Sequence, residues 1–494
     1  MARLKNFGFK HKAGILMPIS ALPSKYGIGS FGGEARKFID FLRETEHKCW
    51  QVLPLNPTSY GDSPYQSPAS GAGNPYFIDL ELLASKGLLT KAELDGQKNR
   101  DKKINYGWLF ENRYKALRTA FSRFVPNSEY RAFLRKNADW IEDYALFMAL
   151  KIKNGFASWT LWEKSESNYK TASANATRYG NEMAFWRWVQ FEFDAQWQSL
   201  RAYAKKNGIM LIGDMPIYVA HDSVDVWASP EQFLLDENYN PALVAGVPPD
   251  AFSDVGQLWG NPIYNWEKMK NDGFEWWLKR IGRAFKLYDI VRIDHFRGFA
   301  GYYAIPYGDE TAVGGWWNDA PGRELFKAVN ENFPKARIIA EDLGIITDDV
   351  KALLAETDFP GMKMLPFAFY DDNSDYLPKN YKTENCIVYT SSHDSDCAKS
   401  WINELPKDAK ARLDRERKRV KGESRVYSII RLAFESRANL AVVQMQDYLE
   451  LTSGEGRMNM PSTASGNWSW RMSPRYNTKA LRKRIASLVK ETKR

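Results

Sequence analysis

Residues 288–299 read YDIVRIDHFRGF, an apolar, β-branched run that ends in Arg292, Asp294 and His295. A short run of this kind bounded by polar residues predicts a strand buried on both faces, and alternation along a strand puts Arg292 and Asp294 on one face. A guanidinium so placed aims the carboxylate's lone pairs and lowers its pKa, so Asp294 is expected to stay ionised and able to act as a nucleophile. An isolated R-x-D is more often a structural ion pair at a strand end. What turns this one toward chemistry is the set of polar strand ends around it.

Eight runs of this type occur, at 13–20, 49–55, 208–219, 288–299, 336–344, 361–369, 385–396 and 439–449. Five of them end in ionisable or amide side chains: Asp214, Arg292 with Asp294, Glu341, His393 with Asp394, and Gln446 with Asp447. Helix-like segments separate most of the runs; 33–45, for example, carries Ala35, Phe38, Ile39 and Leu42 on one face. Eight buried strands with helical crossovers are the count of a (β/α)8 TIM barrel, an α/β fold whose active site lies at the carboxyl ends of the strands. A strand-end carboxylate can also cap the following helix. A shared site explains the whole set better than a series of caps.

The chain is therefore expected to be a single catalytic barrel over 1–494, with helical and loop-rich insertions at the carboxyl end of the strands. One insertion runs from about 56 to 208 after the second strand and is helical, with 140–156 its clearest helix. Another runs from about 217 to 287 after the third strand and contains the Gly/Pro-rich loop 247–259. The residues after the eighth run leave room for a loop and a helix, and no C-terminal β-sandwich is expected.

Hydrophobic residues at 44% and charged residues at 26% are ordinary for a globular protein with a large core. No apolar run approaches ~18 residues and the start lacks a signal-peptide pattern, so no membrane partner is expected and the location is expected to be cytoplasmic. Cys49, Cys386 and Cys397 show no C-x-x-C spacing, so they are expected as buried free thiols, with no metal site and no cofactor. The net charge of +9 is concentrated after Arg471, where nine Lys/Arg face one acid, Glu491. That pattern, without interleaved aromatics, predicts a terminal helix with a solvated basic face and no nucleic-acid partner.

Neighbouring strands lie about 4.8 Å apart, so Asp294 and Glu341 on consecutive strands are expected near the ~5–5.5 Å of a retaining glycosidase pair. In that scheme Asp294 attacks the anomeric carbon, and Glu341, held protonated by burial and neighbouring carboxylates, serves as acid and then base. Asp394, beside His393, would bind sugar hydroxyls and raise the Glu341 pKa. Sugar rings also require aromatic platforms, and Tyr60, Tyr65, Trp259, Tyr264, Trp468 and Trp470 fall in loops that would roof the barrel.

The order Asp214, R-x-D at 292–294, Glu341 and His393–Asp394 resembles the α-amylase superfamily, and within it the amylomaltases, or 4-α-glucanotransferases. The resemblance spans nearly the whole chain through WQVLPLNPT, YGDSPYQSPASGAGNPYFIDL, GDMPIYVAHDSVDVW, PPDAFSDVGQLWGNPIYNW, VRIDHFRGF, IIAEDLG, PGMKMLPFAF and GNWSWRM. It implies Asp294 as nucleophile, Glu341 as acid/base and Asp394 as transition-state stabiliser. It further implies substrate contacts at Tyr60, Asp214, Trp259, Arg292, Phe367, His393 and Asn467, and a 247–259 loop that folds over the site. The implied reaction moves α-1,4-glucan segments from maltooligosaccharides, amylose or starch to the 4-hydroxyl of another glucan or of glucose. One departure is HDSD at 393–396 where HDND is the family pattern, which makes Ser395 a candidate to alter a hydrogen bond near Asp394. A glucan hydrolase with the same triad and a non-catalytic glucan-binding barrel are the alternatives, and the complete triad disfavours the second.

Overall fold

The computed structural model describes residues 10–250, 253–463 and 465–494, without the side chain of Tyr60. The eight apolar runs form the strands of one parallel sheet: β1 (Lys12–Leu16), β2 (Cys49–Gln51), β3 (Met210–Met215), β6 (Ile290–Ile293), β9 (Ile338–Ala340), β10 (Gly361–Met364), β11 (Cys386–Tyr389) and β12 (Leu440–Gln444). Their hydrogen-bonded order is β10-β11-β12-β1-β2-β3-β6-β9. The two ends of that order meet where the Ala340 N–H donates to the Pro360 carbonyl at 3.1 Å, which makes the sheet a (β/α)8 barrel. Most strand residues are fully buried, as expected of parallel strands covered by side chains within and helices outside.

Between β2 and β3 the chain is helical, and the helix Gly180–Lys206 is its spine. Gln190 on that helix accepts from the Gly73 N–H at 2.7 Å and donates to the Gly73 carbonyl at 2.8 Å, and Gln196 accepts from the Asp79 N–H at 2.7 Å. These side chains stand in for a missing strand partner and fix the loop 56–79 against the helix, which positions Tyr65 at the barrel mouth.

Four further strands form an antiparallel sheet that the sequence does not announce: β4 (Leu243–Val247), β5 (Gln257–Pro262), β7 (Gly301–Pro306) and β8 (Trp316–Asp319), in the order β5-β4-β7-β8. It draws on the segments after both β3 and β6, so it bridges two barrel loops. Gly256 closes its β4–β5 hairpin at φ +69°, and a Cβ there would stand 2.4 Å from the Val247 carbonyl oxygen. A side chain at 256 therefore collides with the opposite arm of the 247–259 loop.

The three cysteines are buried and free, and no described helix is long and apolar enough to cross a membrane. A helix does follow the last strand, at Lys479–Glu491, and Lys479, Lys483, Arg484 and Lys490 on it are exposed, as the sequence leads one to expect. Arg482 pairs with Glu44 at 3.0 Å, Lys490 with Glu46 at 3.2 Å, and Arg484 with Glu450 at 2.9 Å while stacking on the Tyr427 ring. Arg494 is buried outright. Its guanidinium donates to the carbonyls of Phe434, Lys12, Ala438, Ala433 and Ser436 at 2.7–3.2 Å, tying the end of the helix Arg425–Glu435 to the first strand. Arg494→Ala strands several buried carbonyls at once, and should lower unfolding stability by about 2–4 kcal/mol in a denaturant titration.

Candidate active site

Register explains the centre of the site. β3 pairs with β6 so that Asp214 lies opposite Arg292, and Gly213 makes room for Tyr288, whose ring would lie 2.1 Å from a Cβ there. Arg292 Nη1 donates to both oxygens of Asp214 at 2.7 Å and to Asp294 Oδ1 at 2.9 Å. One guanidinium nitrogen thus binds two carboxylates, a charge-assisted arrangement that fixes the orientation of Asp294. Asp214 and Arg292 are buried, while 26% of the Asp294 side chain is open to solvent.

On the other side, β6 pairs with β9 with Arg292 opposite Ile339 and Ile293 opposite Ala340, so Asp294 and Glu341 follow as neighbours on adjacent strands. His295 then turns into the left-handed region at φ 51°, which a non-glycine residue adopts only where its surroundings hold it. The turn aims the His295 N–H at Glu341 Oε2 at 2.6 Å, and Leu343 N–H donates to Oε1 at 2.9 Å. Two backbone donors therefore set the direction of the Glu341 carboxyl. The first comes from the residue next to Asp294, so the two acids are held to one another through main chain.

The third acid sits across the mouth. Asp394 Oδ2 is 3.0 Å from His393 Nε2, and its Oδ1 accepts from Asn459 Nδ2 at 2.6 Å. The Tyr65 hydroxyl donates to Asp214 Oδ2 at 2.8 Å and is 2.8 Å from His393 Nε2, so it joins the Arg292 group to the His393–Asp394 pair. Tyr65 and Asn459 were not singled out from sequence for these roles; each reaches the site from a loop far along the chain. Ser395 bonds to the Ser392 backbone, which leaves the partners of Asp394 as His393 and Asn459.

Electrostatics depart from the expectation based on Arg292 alone. Burial in the barrel mouth, together with the carboxylates of Asp214, Glu341 and Asp394, pushes the Asp294 carboxyl up to about 7 against the pull of Arg292. The expectation that it stays ionised well below neutrality is corrected by this crowding. Asp394 moves the other way: burial opposes its charge, but His393 and Asn459 outweigh it and hold the group down at about 2. His393 is raised in turn, since the Asp394 charge overcomes the burial that disfavours an imidazolium.

Other expected residues divide. Trp259 stands edge-on to the His295 ring at 4.8 Å, beside Asp294, with Tyr218 behind it. Phe367 meets Tyr376 edge-on at 5.7 Å, and the Tyr376 hydroxyl feels the charges of Asp342 and Glu341. Asn467 is bound into its own loop by Met460 and Thr463, and lines a cavity of about 510 Å³ with Asp62, Tyr106 and Ser469, apart from the three acids. The side chain of Tyr60, like residues 251 and 252 of the 247–259 loop, lies outside the described residues. Three expected platforms are buried: Tyr264 with its hydroxyl on the Ile217 carbonyl, Trp468 behind Tyr65 and His393, and Trp470. Asp447 is fully buried, accepts from Thr390 and Ser391, and caps Ala398 of the helix Ala398–Glu404, so it belongs to the scaffold.

With this geometry in hand, the chain can be set beside known proteins. The Glyco_hydro_77 family, described as 4-alpha-glucanotransferase, matches residues 17–477. A 4-alpha-glucanotransferase of Clostridium butyricum is 44% identical over 96% of this chain and 99% of its own length. One from Thermus thermophilus is 42% identical over 97% of this chain and 98% of its own. Among solved structures, amylomaltase from Streptococcus agalactiae in complex with acarbose superposes with a TM-score of 0.95 at 40% identity, covering 98% of this chain and all of the other.

Proposed function

This chain belongs to the 4-alpha-glucanotransferase family, the amylomaltases, and from that premise we propose that it moves α-1,4-glucan segments through a covalent glycosyl ester on Asp294. Arg292 engages Oδ1 of Asp294, which leaves Oδ2 to attack the anomeric carbon. As that bond forms, the glycosidic C–O bond breaks and Glu341 gives its proton to the departing glucan oxygen. The donor fragment leaves, and the 4-hydroxyl of an acceptor glucan or glucose gives its proton back to Glu341 while attacking the same carbon. The ester bond to Asp294 breaks as that new bond forms. Two inversions return the α configuration. Asp394, ionised and backed by His393 and Asn459, accepts from sugar hydroxyls, and Trp259 offers an aromatic face beside the nucleophile.

The observation that carries this reading is the adjacency of Asp294 and Glu341 on paired strands, with Glu341 aimed by the N–H of the residue after Asp294. With maltotriose alone, the expected products are glucose and a ladder of longer maltooligosaccharides at nearly constant total reducing ends, because each bond broken is replaced by one made. Reducing ends rising with every bond cleaved, and no product longer than the substrate, would identify a hydrolase instead. Trp259→Ala should remove part of the acceptor surface and shift the partition from transfer toward hydrolysis; an unchanged ratio would take acceptor control away from this loop.

The raised Asp294 carboxyl has a kinetic consequence. The attacking group must be ionised, so kcat/KM of the free enzyme should fall as pH drops through about 7, well above the ordinary carboxylate range. A pH profile whose acid limb lies near 4 would show that Arg292 outweighs the surrounding acids.

A further inference from the structure

Tryptophan is abundant in this chain and almost always covered: of 18 tryptophans, only Trp316 and Trp317 are exposed, at 46% and 39%. Both lie on β8, the edge strand of the antiparallel sheet. Adjacent residues of a strand face opposite ways, and the register separates their roles. Trp317 lies opposite Tyr303, meets its ring edge-on at 5.2 Å and carries the Arg297 guanidinium on its face at 3.6 Å. Its position is thereby explained by packing. Trp316 makes no ring or cation contact among the described residues, and nothing in the fold accounts for it.

Apart from the buried Ala304 opposite it, the neighbours of Trp316 on its own face are polar. Asn318 is two residues on, and Tyr302 pairs with Asn318 across β7–β8, so an indole, an amide and a phenol share one face at the sheet edge. An apolar ring flanked by hydrogen-bonding groups is the pairing that a sugar, with its apolar ring face and hydroxyl rim, can match. Alternation along β5 from Leu258, which pairs with Gly246, gives Trp259 the side of Ala245 just where the β4–β5 register shifts, and Ala245 pairs with Ala304, which pairs with Trp316. Three strand spacings, roughly 14 Å, separate the two indoles. Ala245 and Ala304 between them are buried, so the edge is a separate station on the rigid sheet that also carries the active-site loop.

We infer that Tyr302, Trp316 and Asn318 form an auxiliary binding site for an α-1,4-glucan chain, outside the catalytic cleft; this rests on the glucan-transfer reading. Charge favours a neutral ligand, because Asp309, Glu310 and Asp319 on the same hairpin are exposed and repel phosphate-bearing surfaces while accepting from hydroxyls. Tyr307, Val313 and Trp317 on the same hairpin are exposed as well, so a second copy of the chain is the competing occupant, and sedimentation distinguishes it. A long donor held at this edge remains near the site between transfers, raising its effective concentration there.

The test uses the whole enzyme and Trp316→Ala, with Trp316→Phe and Asn318→Ala beside it. Native gels cast with amylopectin should retard the wild type, retard Trp316→Phe less, and retard Trp316→Ala least. Apparent KM for long amylose should rise roughly three- to tenfold in Trp316→Ala, the range expected for one aromatic contact, while kcat/KM for maltotriose changes by less than about twofold. Equal retardation and equal amylose KM in all variants would overturn the site. So would a concentration-dependent dimer in sedimentation that Trp316→Ala abolishes, since the edge would then belong to a second copy. Failure of the wild type to disproportionate maltotriose would strike at the glucan-transfer reading alone, because gel retardation reads the edge without turnover.

Discussion

Asp294→Asn should fold and lose on the order of 10⁴-fold or more in turnover, the scale on which removal of a covalent nucleophile is felt. Folding should survive because Arg292 keeps both oxygens of Asp214 as partners, so no buried charge is left alone. The amide cannot attack the anomeric carbon, and no other carboxylate shares the Arg292 nitrogen from the solvent side. The substitution also has a signed effect on stability. A carboxyl raised to about 7 in the folded state, against about 4 unfolded, binds its proton more tightly when folded. Wild-type stability should therefore fall as pH rises from about 4 through about 7, and the variant lacks that loss. Denaturation midpoints should show Asp294→Asn gaining on the wild type between pH 4 and pH 8. Near-native turnover would remove Asp294 as nucleophile, and a stability difference independent of pH would remove the raised carboxyl.

The barrel was legible because parallel strands buried on both faces must be written as short, dense apolar runs, and all eight runs became barrel strands. Their extents were not: the run at 49–55 contributes only Cys49–Gln51. The antiparallel sheet escaped notice for a related reason. LVAGV, QLWGNP and WWND carry Gly, Pro, Asn and Asp, and the strands pair across β6, so neither composition nor proximity marks them.

Within the site, strand-end residues could be read because alternation puts Arg292 with Asp294 and Ile339 with Glu341. Asn459 could not, and Tyr65 was read only as an aromatic platform and not as a hydroxyl partner of Asp214, because they come from loops 65 and 149 residues away from the acids they bind. The Asp294 pKa was misread for a different reason: Asp214, Glu341 and Asp394 were legible as its neighbours, but the burial that raises the carboxyl most, and that outweighs Arg292, is set by the folded barrel. Arg494 repeats the pattern at the other end of the chain, where a basic residue read as solvated caps a bundle of carbonyls.

Glu341→Gln should cost about 10²–10⁴-fold in turnover on maltotriose, the usual contribution of a positioned general acid. The substitution is not a pure loss of the proton. Glu341 accepts from His295 N–H on one oxygen and from Leu343 N–H on the other, and a carboxamide can satisfy only one of these donors. Its NH₂ must face the second, so the side chain or the left-handed turn at His295 has to shift, and Asp294 is the next residue along. Two causes of lost activity are therefore possible, and the leaving group separates them. Fluoride departs without a proton, so first-turnover fluoride release from an α-maltosyl fluoride should be far less impaired in Glu341→Gln than cleavage of maltotriose. An equal loss on both donors would mean that the damage runs through the His295 turn to the nucleophile, and that the acid/base role does not belong to Glu341. Retention of full activity on maltotriose would exclude both routes, because the carboxyl aimed by those two amides would then serve neither the proton transfer nor the alignment of Asp294.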